Sequence, residues 1–149
     1  MKLIRAVSCW GNQASPLEGP LPADFPARDV DKSLIVEIPT GCAAGIYVPS
    51  LRATPAEYFE DFRRKLAVAL PLNPLPLTTL AGADFWDFST ACRFFGELLE
   101  VAKAAGSEVC VETHRSRPTF HPLQTARLLD ELTHLMLTLD VSHWCVVSR

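Results

Sequence analysis

Leu137-Thr138-Leu139-Asp140-Val141-Ser142-His143-Trp144 is the stretch on which the reading of this chain turns. The apolar and β-branched run from Leu135 to Leu139 predicts a buried strand, and it ends on a carboxylate. An imidazole follows three positions later, then a large aromatic. A charged Asp at the tip of an apolar strand costs desolvation free energy unless a cation or a donor offsets it. A metal ion bound by Asp140 and His143 would supply that offset. Asp-x-x-His also arises by chance in a chain with eight Asp and four His, so the motif needs a second observation.

Upstream, Val109-Cys110-Val111-Glu112 is another apolar run ending on a carboxylate, and Thr113-His114-Arg115 follows it. Glu112 and Asp140 lie 28 residues apart, the length that a loop, a short helix and the next parallel strand consume in a βαβ unit. Two neighbouring parallel strands that each end in an acid place both acids at the carboxyl edge of one sheet. Ligand and catalytic sites of open α/β sheets and of (β/α)8 barrels sit on that edge.

These residues carry a resemblance. Val111-Glu112-Thr113-His114-Arg115, followed by Leu139-Asp140-Val141-Ser142-His143-Trp144, resembles strands five and six of the xylose-isomerase-like barrels, the sugar-phosphate isomerase/epimerase superfamily to which endonuclease IV also belongs. The likeness runs from about Thr54 to Arg149 and extends to a first strand, Leu3 to Cys9, closed by Trp10-Gly11. The fold class it implies is α/β, a partial (β/α)8 TIM-type barrel with parallel strands, one incomplete domain over 1–149.

The chain has 149 residues, 48% hydrophobic and 21% charged, with net charge −3, which is an ordinary globular composition. A mildly acidic chain lacks the electrostatic footprint of a nucleic-acid binder, and Arg63-Arg64-Lys65 reads as a solvated helix face. Five scattered cysteines (9, 42, 92, 110 and 145) without a Cys-x-x-Cys read as buried thiols of a reducing compartment, not as a disulfide framework or a zinc knuckle. Met1 to Trp10 has no sustained apolar core of a signal peptide, and Pro71, Pro74 and Pro76 break the uncharged stretch from Leu66 to Ala83, so no membrane segment is expected. The expected location is the cytoplasm.

Residues 12–33 form an irregular segment with Pro16, Pro20, Pro22 and Pro26, and read as an extended loop. The family pattern places a helix, a strand and a second helix there, too much for this length, so the second βα unit is lacking or replaced. Leu34 to Ile38 is a strand stopped by Pro39, and its Glu37 reads equally as a solvent-facing or a site residue. Thr54-Pro55-Ala56-Glu57 is a capping box opening a helix to about Leu70, with Tyr58, Phe59, Phe62 and Leu66 as its core stripe. Leu75 to Leu80 predicts a short strand leaving through Ala81 to Asp84, and Leu80 or Ala81 stands where the family often carries a site histidine. Asp87 or Ser89 caps the next helix, which Gly106 ends. His121-Pro122 opens another through Leu123, Ala126, Leu129 and Leu132, with His121 at the helix start and His134 in a turn. This alternation of strand and helix argues for a parallel sheet with right-handed crossovers.

Two carboxylates and an imidazole form an oxygen and nitrogen donor set suited to Mn²⁺, Zn²⁺, Mg²⁺ or Co²⁺. The resemblance implies Glu112 as metal ligand and catalytic base, Asp140 as ligand, and His143 as ligand or substrate contact. His114 and Arg115 are candidate substrate contacts beside Glu112, and Trp144 a candidate wall of the site or a packing residue. Arg117 reads as an exposed loop arginine. The implied function is a metal-dependent sugar or sugar-phosphate isomerase or epimerase working by proton transfer next to a carbonyl, with a small-molecule partner.

The family's further ligands, on a seventh and an eighth strand, would lie beyond Arg149, and a full barrel takes about 250 residues. The sequence therefore reads as a barrel truncated after strand six, without that strand's helix. A half-barrel completed by association and a rearranged smaller sheet remain open, because open sheet edges invite self-association. The alternative function is a non-catalytic remnant or interaction module. An endonuclease IV-like phosphodiesterase needs more histidines on earlier strands, and none of the first 113 residues is His.

Overall fold

The computed structural model describes residues 6–8, 33–41, 48–74 and 76–147. Its elements run β1 (Ala6–Ser8), β2 (Ser33–Pro39), α1 (Pro55–Ala69), β3 (Leu77–Leu80), α2 (Phe88–Ala104), β4 (Val109–Glu112), α3 (Pro122–Glu131), β5 (Met136–Thr138) and α4 (Val141–Val147). All strand pairs are parallel and the sheet order follows the chain, β1-β2-β3-β4-β5. Ala6 lies opposite Ser33, so β1 pairs directly with β2 where the family pattern has another strand between. The irregular segment expected over 12–33 lies outside the described residues except for Ser33, which already belongs to β2.

Helix starts form where the capping chemistry puts them. Thr54 and Glu57 make the reciprocal capping box of α1, the Glu57 amide donating to Thr54 Oγ1 at 3.3 Å and the Thr54 amide to Glu57 Oε2 at 2.7 Å. Asp87, rather than Ser89, caps α2 by accepting from the Thr90 amide at 2.8 Å. The His121 ring accepts from the Leu123 amide at the start of α3, and Gly106 follows α2 at φ +72. Gly41 is also left-handed, at φ +63, and a Cβ there would lie 2.0 Å from the Tyr58 ring; only glycine lets the chain leave β2 over α1.

The helices cover one face of the sheet. Val36, Ile38, Leu77, Val109 and Val111 pack with Tyr58, Phe62, Leu66, Phe94, Phe95, Leu98 and Leu128 in one buried cluster. By register and the two-residue strand period, Glu37, Thr78, Cys110, Glu112 and Thr138 share the opposite face. There the Thr78 and Thr138 hydroxyls meet at 2.8 Å, although β4 separates their strands. In a flat sheet those strands lie about 9.6 Å apart. The contact requires the sheet to curl toward this face, as the wall of a barrel does.

Three expectations need correction. The run Leu135 to Leu139 is no buried strand: Leu135 is buried, but β5 spans three residues, Met136 is 38% exposed and Leu139 57%. Its position explains this, since β5 pairs with β4 alone among the described residues. A helix, α4, does follow it. Finally, α3 buries Thr125 and Leu128, whereas Leu123 is 72% exposed and Leu129 37%. Two apolar stripes overlap in that sequence, and the capped start at His121 selects the second. Among the described residues no helix is long and apolar enough to cross a membrane.

Candidate functional site

β4 delivers Glu112 as its last residue, and the chain beyond β5 turns at once into α4, which carries His143. Asp140 makes that turn. Its Oδ1 accepts from the Ser142 amide at 2.9 Å and from the Ser142 hydroxyl at 2.6 Å. Thr113 fixes the backbone below: its Oγ1 donates to Asp140 O at 3.0 Å and lies 2.7 Å from the donating Asp140 amide. The Thr113 amide donates to Thr138 O at 3.0 Å, continuing the ladder between β4 and β5 past Glu112.

Glu112, Asp140 and His143 converge, with one donor atom from each lying within 4.8 Å of the others. His143 Nε2 stands 3.7 Å from Asp140 Oδ2. Two donors each about 2.1 Å from a common ion lie at most about 4.2 Å apart, so side-chain rotation closes this triad around a small cation. His143 Nδ1 is buried with no hydrogen-bond partner among the described residues, which a ligand role for the ring would explain. The residues fit a divalent metal. The donor set that the sequence points to is brought together in space.

The electrostatics set the three apart. Burial first, then the charges of Glu37 and Asp140, push the Glu112 carboxyl up to about 7, with Arg117 pulling the other way. Asp140 is held below the usual carboxylate range, chiefly by the Ser142 hydroxyl. Burial lowers His143, and Asp140 opposes that shift. The His114 ring packs against that of His143 at a tilt of 45°, with ring centroids 3.9 Å apart, and its Nδ1 contacts Arg115 O. Burial above all brings His114 down to about 4, so this ring is neutral at pH 7.

Glu37 belongs with these residues more than the sequence decides. It shares the concave face, burial raises its carboxyl, and its charge weighs on Glu112 ahead of that of Asp140. Arg115 is exposed in the loop after β4. Trp144 lies on α4, and its Nε1 donates to Thr119 O at 3.0 Å, tying α4 to that same loop. His121 is a helix cap and His134 a turn residue, both as expected.

Arg117 overturns its reading as an exposed loop arginine. It is fully buried and heads the large buried side chains by volume. Its Nη1 donates to Thr40 O at 2.9 Å and to Gly82 O at 2.7 Å. Those partners precede it by 77 and 35 residues. The spacing of the sequence around Arg117 gives no hint of either.

This curled parallel sheet with helices on its convex face and acids at its carboxyl edge is the architecture of a partial TIM-type barrel. Two solved structures share it. One is the probable 3-DHS dehydratase AsbF involved in petrobactin synthesis from Bacillus anthracis, at TM-score 0.52 and 18% identity over 76% of this chain. The other is the IOLI protein with a binding zinc atom, at TM-score 0.56 and 11% identity over 76% of this chain. The chain spans about two fifths of each, 41% and 43%. No protein-family model matches the sequence, and no curated protein is similar to it.

Proposed function

We propose that this chain carries the metal-binding part of a sugar or sugar-phosphate isomerase or epimerase, acting by proton transfer next to a carbonyl. The observation that carries the proposal is the convergence of Glu112, Asp140 and His143 within 4.8 Å at the carboxyl edge of the sheet. The zinc atom bound by the IOLI protein supports a metal reading, and the name of the other structure, a dehydratase, fits the same class of proton abstraction.

Glu112, Asp140 and His143 would hold the ion, which could be Mn²⁺, Zn²⁺, Mg²⁺ or Co²⁺. When bound, it supplies Lewis-acid polarisation of a carbonyl and its neighbouring hydroxyl. Asp140, held below the usual carboxylate range chiefly by the Ser142 hydroxyl, would supply a charged ligand. Without the ion the Glu112 carboxyl is raised to about 7, so its protonation competes with metal binding near neutrality, and as the acid beside the carbonyl it is the candidate to move the proton. Neutral His114 and the Arg115 guanidinium stand beside it as contacts for hydroxyl or phosphate oxygens. Trp144 would wall the α4 side.

The test is thermal unfolding of the chain with and without excess Mn²⁺. Ligands that bind only the folded state raise the midpoint, so an upward shift is expected, absent in Glu112→Gln and Asp140→Asn. An unshifted wild-type transition sinks the proposal. A second reading, a non-catalytic interaction module, draws on the exposed β5 edge with Met136 and Leu139. Concentration-dependent self-association without any metal effect would favour it.

A further inference from the structure

We propose that Arg117 is the positioning residue of this site: its buried guanidinium bridges the carbonyls of Thr40 and Gly82, ties the ends of β2 and β3 to the loop that follows Glu112, and so fixes the loop from which Thr113 and Thr119 hold the ends of β4 and β5, where Glu112, Asp140 and His143 converge. The inference rests on the metal reading above and adds to it a residue that touches neither metal nor substrate.

Burying a guanidinium costs several kcal/mol unless well-placed acceptors compensate it. In the body of a core, an apolar side chain of similar volume does the same packing without that cost. A buried arginine therefore points to what its fork holds. Thr40 follows β2 and Gly82 follows β3, while Arg117 lies in the loop after β4. Through Nη1, at 2.9 and 2.7 Å, it joins these three strand ends.

The rest of the same loop reaches the fourth. Thr113 holds Asp140 by two hydrogen bonds, and Thr119 Oγ1 donates to Glu112 O at 2.6 Å while Thr119 O accepts from Trp144 Nε1. The Asp84 amide donates to Ser116 O at 3.2 Å, a further tie to the loop after β3. Gly82, at φ +74, permits a close approach, since a Cβ there would stand 2.8 Å from Pro118 Cγ. One short segment, residues 113–119, thus cross-links every strand end from β2 to β5. Its reach to the end of β2 runs through the Arg117 guanidinium. Both bonds leave the single nitrogen Nη1, so a lysine, which keeps the charge and one multiply donating nitrogen on a shorter stem, replaces part of the bridge and methionine none of it.

The experiment measures Mn²⁺ affinity of the 149-residue chain from loss of the free-ion EPR signal, well below each variant's melting midpoint. Wild type is compared with Arg117→Lys, Arg117→Met and the core control Phe62→Leu, and each midpoint is recorded. Outer partners of metal ligands typically change affinity about 10- to 100-fold, so a loss of that size is expected in Arg117→Met and a smaller one in Arg117→Lys. Phe62→Leu should lower the midpoint and leave affinity unchanged. Methylguanidinium added to Arg117→Met should not restore binding, because methionine fills the site, whereas in Arg117→Ala it should.

Wild-type affinity in the folded Arg117 variants overturns the inference, because the arginine then serves stability alone. Loss of cooperative unfolding in all three Arg117 variants overturns it too, placing the residue in the core. If wild type binds no Mn²⁺, the metal reading itself fails, a result distinct from both.

Discussion

β3 and β5 are both short strands drawn from apolar sequence, and they end in opposite environments. All four residues of β3 are buried, whereas β5 has one exposed and two half-buried residues. β3 lies between two strands and beneath the helices, and β5 has one strand neighbour among the described residues. Apolar sequence thus specifies extended backbone in both cases, while burial is decided by how many neighbours the topology supplies. The candidate site straddles the two regimes. Glu112 comes from β4, in the well-packed region, and Asp140 and His143 come from the exposed side.

The widest difference should appear in core truncations. Leu77→Ala, at a fully buried position of β3, should cost about 2–5 kcal/mol in denaturant unfolding. Met136→Ala on β5 should stay within about 0.5 kcal/mol, as exposed positions do. Comparable losses would break the contrast and mean that β5 is covered in solution.

Next in size is Glu112→Gln. Besides removing the Mn²⁺ shift, it should raise the stability of the metal-free chain at pH 8. The folded-state carboxyl sits near 7 against an ordinary 4.5, so deprotonation is resisted by the fold. Each pKa unit is worth about 1.4 kcal/mol, which bounds the gain at about 3.5 kcal/mol. Solvent screening of a half-buried group makes the real gain smaller. A destabilised Glu112→Gln at pH 8 would show that the carboxylate is already compensated without metal.

Glu112 and His114 also make opposing pH profiles. The raised Glu112 carboxyl contributes stability at low pH that is lost as pH rises from about 4.5 through 7. His114, lowered from 6.5 to about 4, contributes stability above pH 6.5 that is lost as pH falls toward 4. Over the shared window the two slopes partly cancel in the wild type. Glu112→Gln should therefore show stability increasing with pH from about 4 to 6.5, and His114→Gln the reverse. Parallel slopes in the two variants would show that the pair does not titrate as this geometry implies.

The same division governs what the sequence makes legible. Helix starts are readable at Thr54, Asp87 and His121 because a cap is satisfied within three residues. The strand-end acids are readable because a carboxylate closing an apolar run is locally conspicuous. Arg117 is not: its acceptors come from loops 77 and 35 residues earlier, and Arg115-Ser116-Arg117 looks like a solvated loop. The buried stripe of α3 escapes a reading by period because Leu123, Ala126 and Leu129 offer an equally good apolar face, and packing chose Thr125 and Leu128. Glu37 stays undecided in the sequence because strand alternation does not say which face is concave.

The finest test separates the two roles open to Trp144, the donor that ties α4 down and the aromatic wall of the site. Seven-residue α4 has no fully buried residue, so the bond from Trp144 Nε1 to Thr119 O is a leading restraint on the helix carrying His143. Trp144→Phe removes the donor and keeps a ring; the lost bond is worth about 1 kcal/mol. That loss is local, since α4 can loosen while the sheet stays folded. Hydrogen exchange over residues 141–147 should quicken, and Mn²⁺ affinity should fall by no more than about fivefold, the equivalent of that 1 kcal/mol. Trp144→Ala should match it in both readouts if the indole N–H is what matters. A Trp144→Phe variant that retains wild-type exchange and affinity, beside a Trp144→Ala variant that loses both, would instead assign the work to the ring.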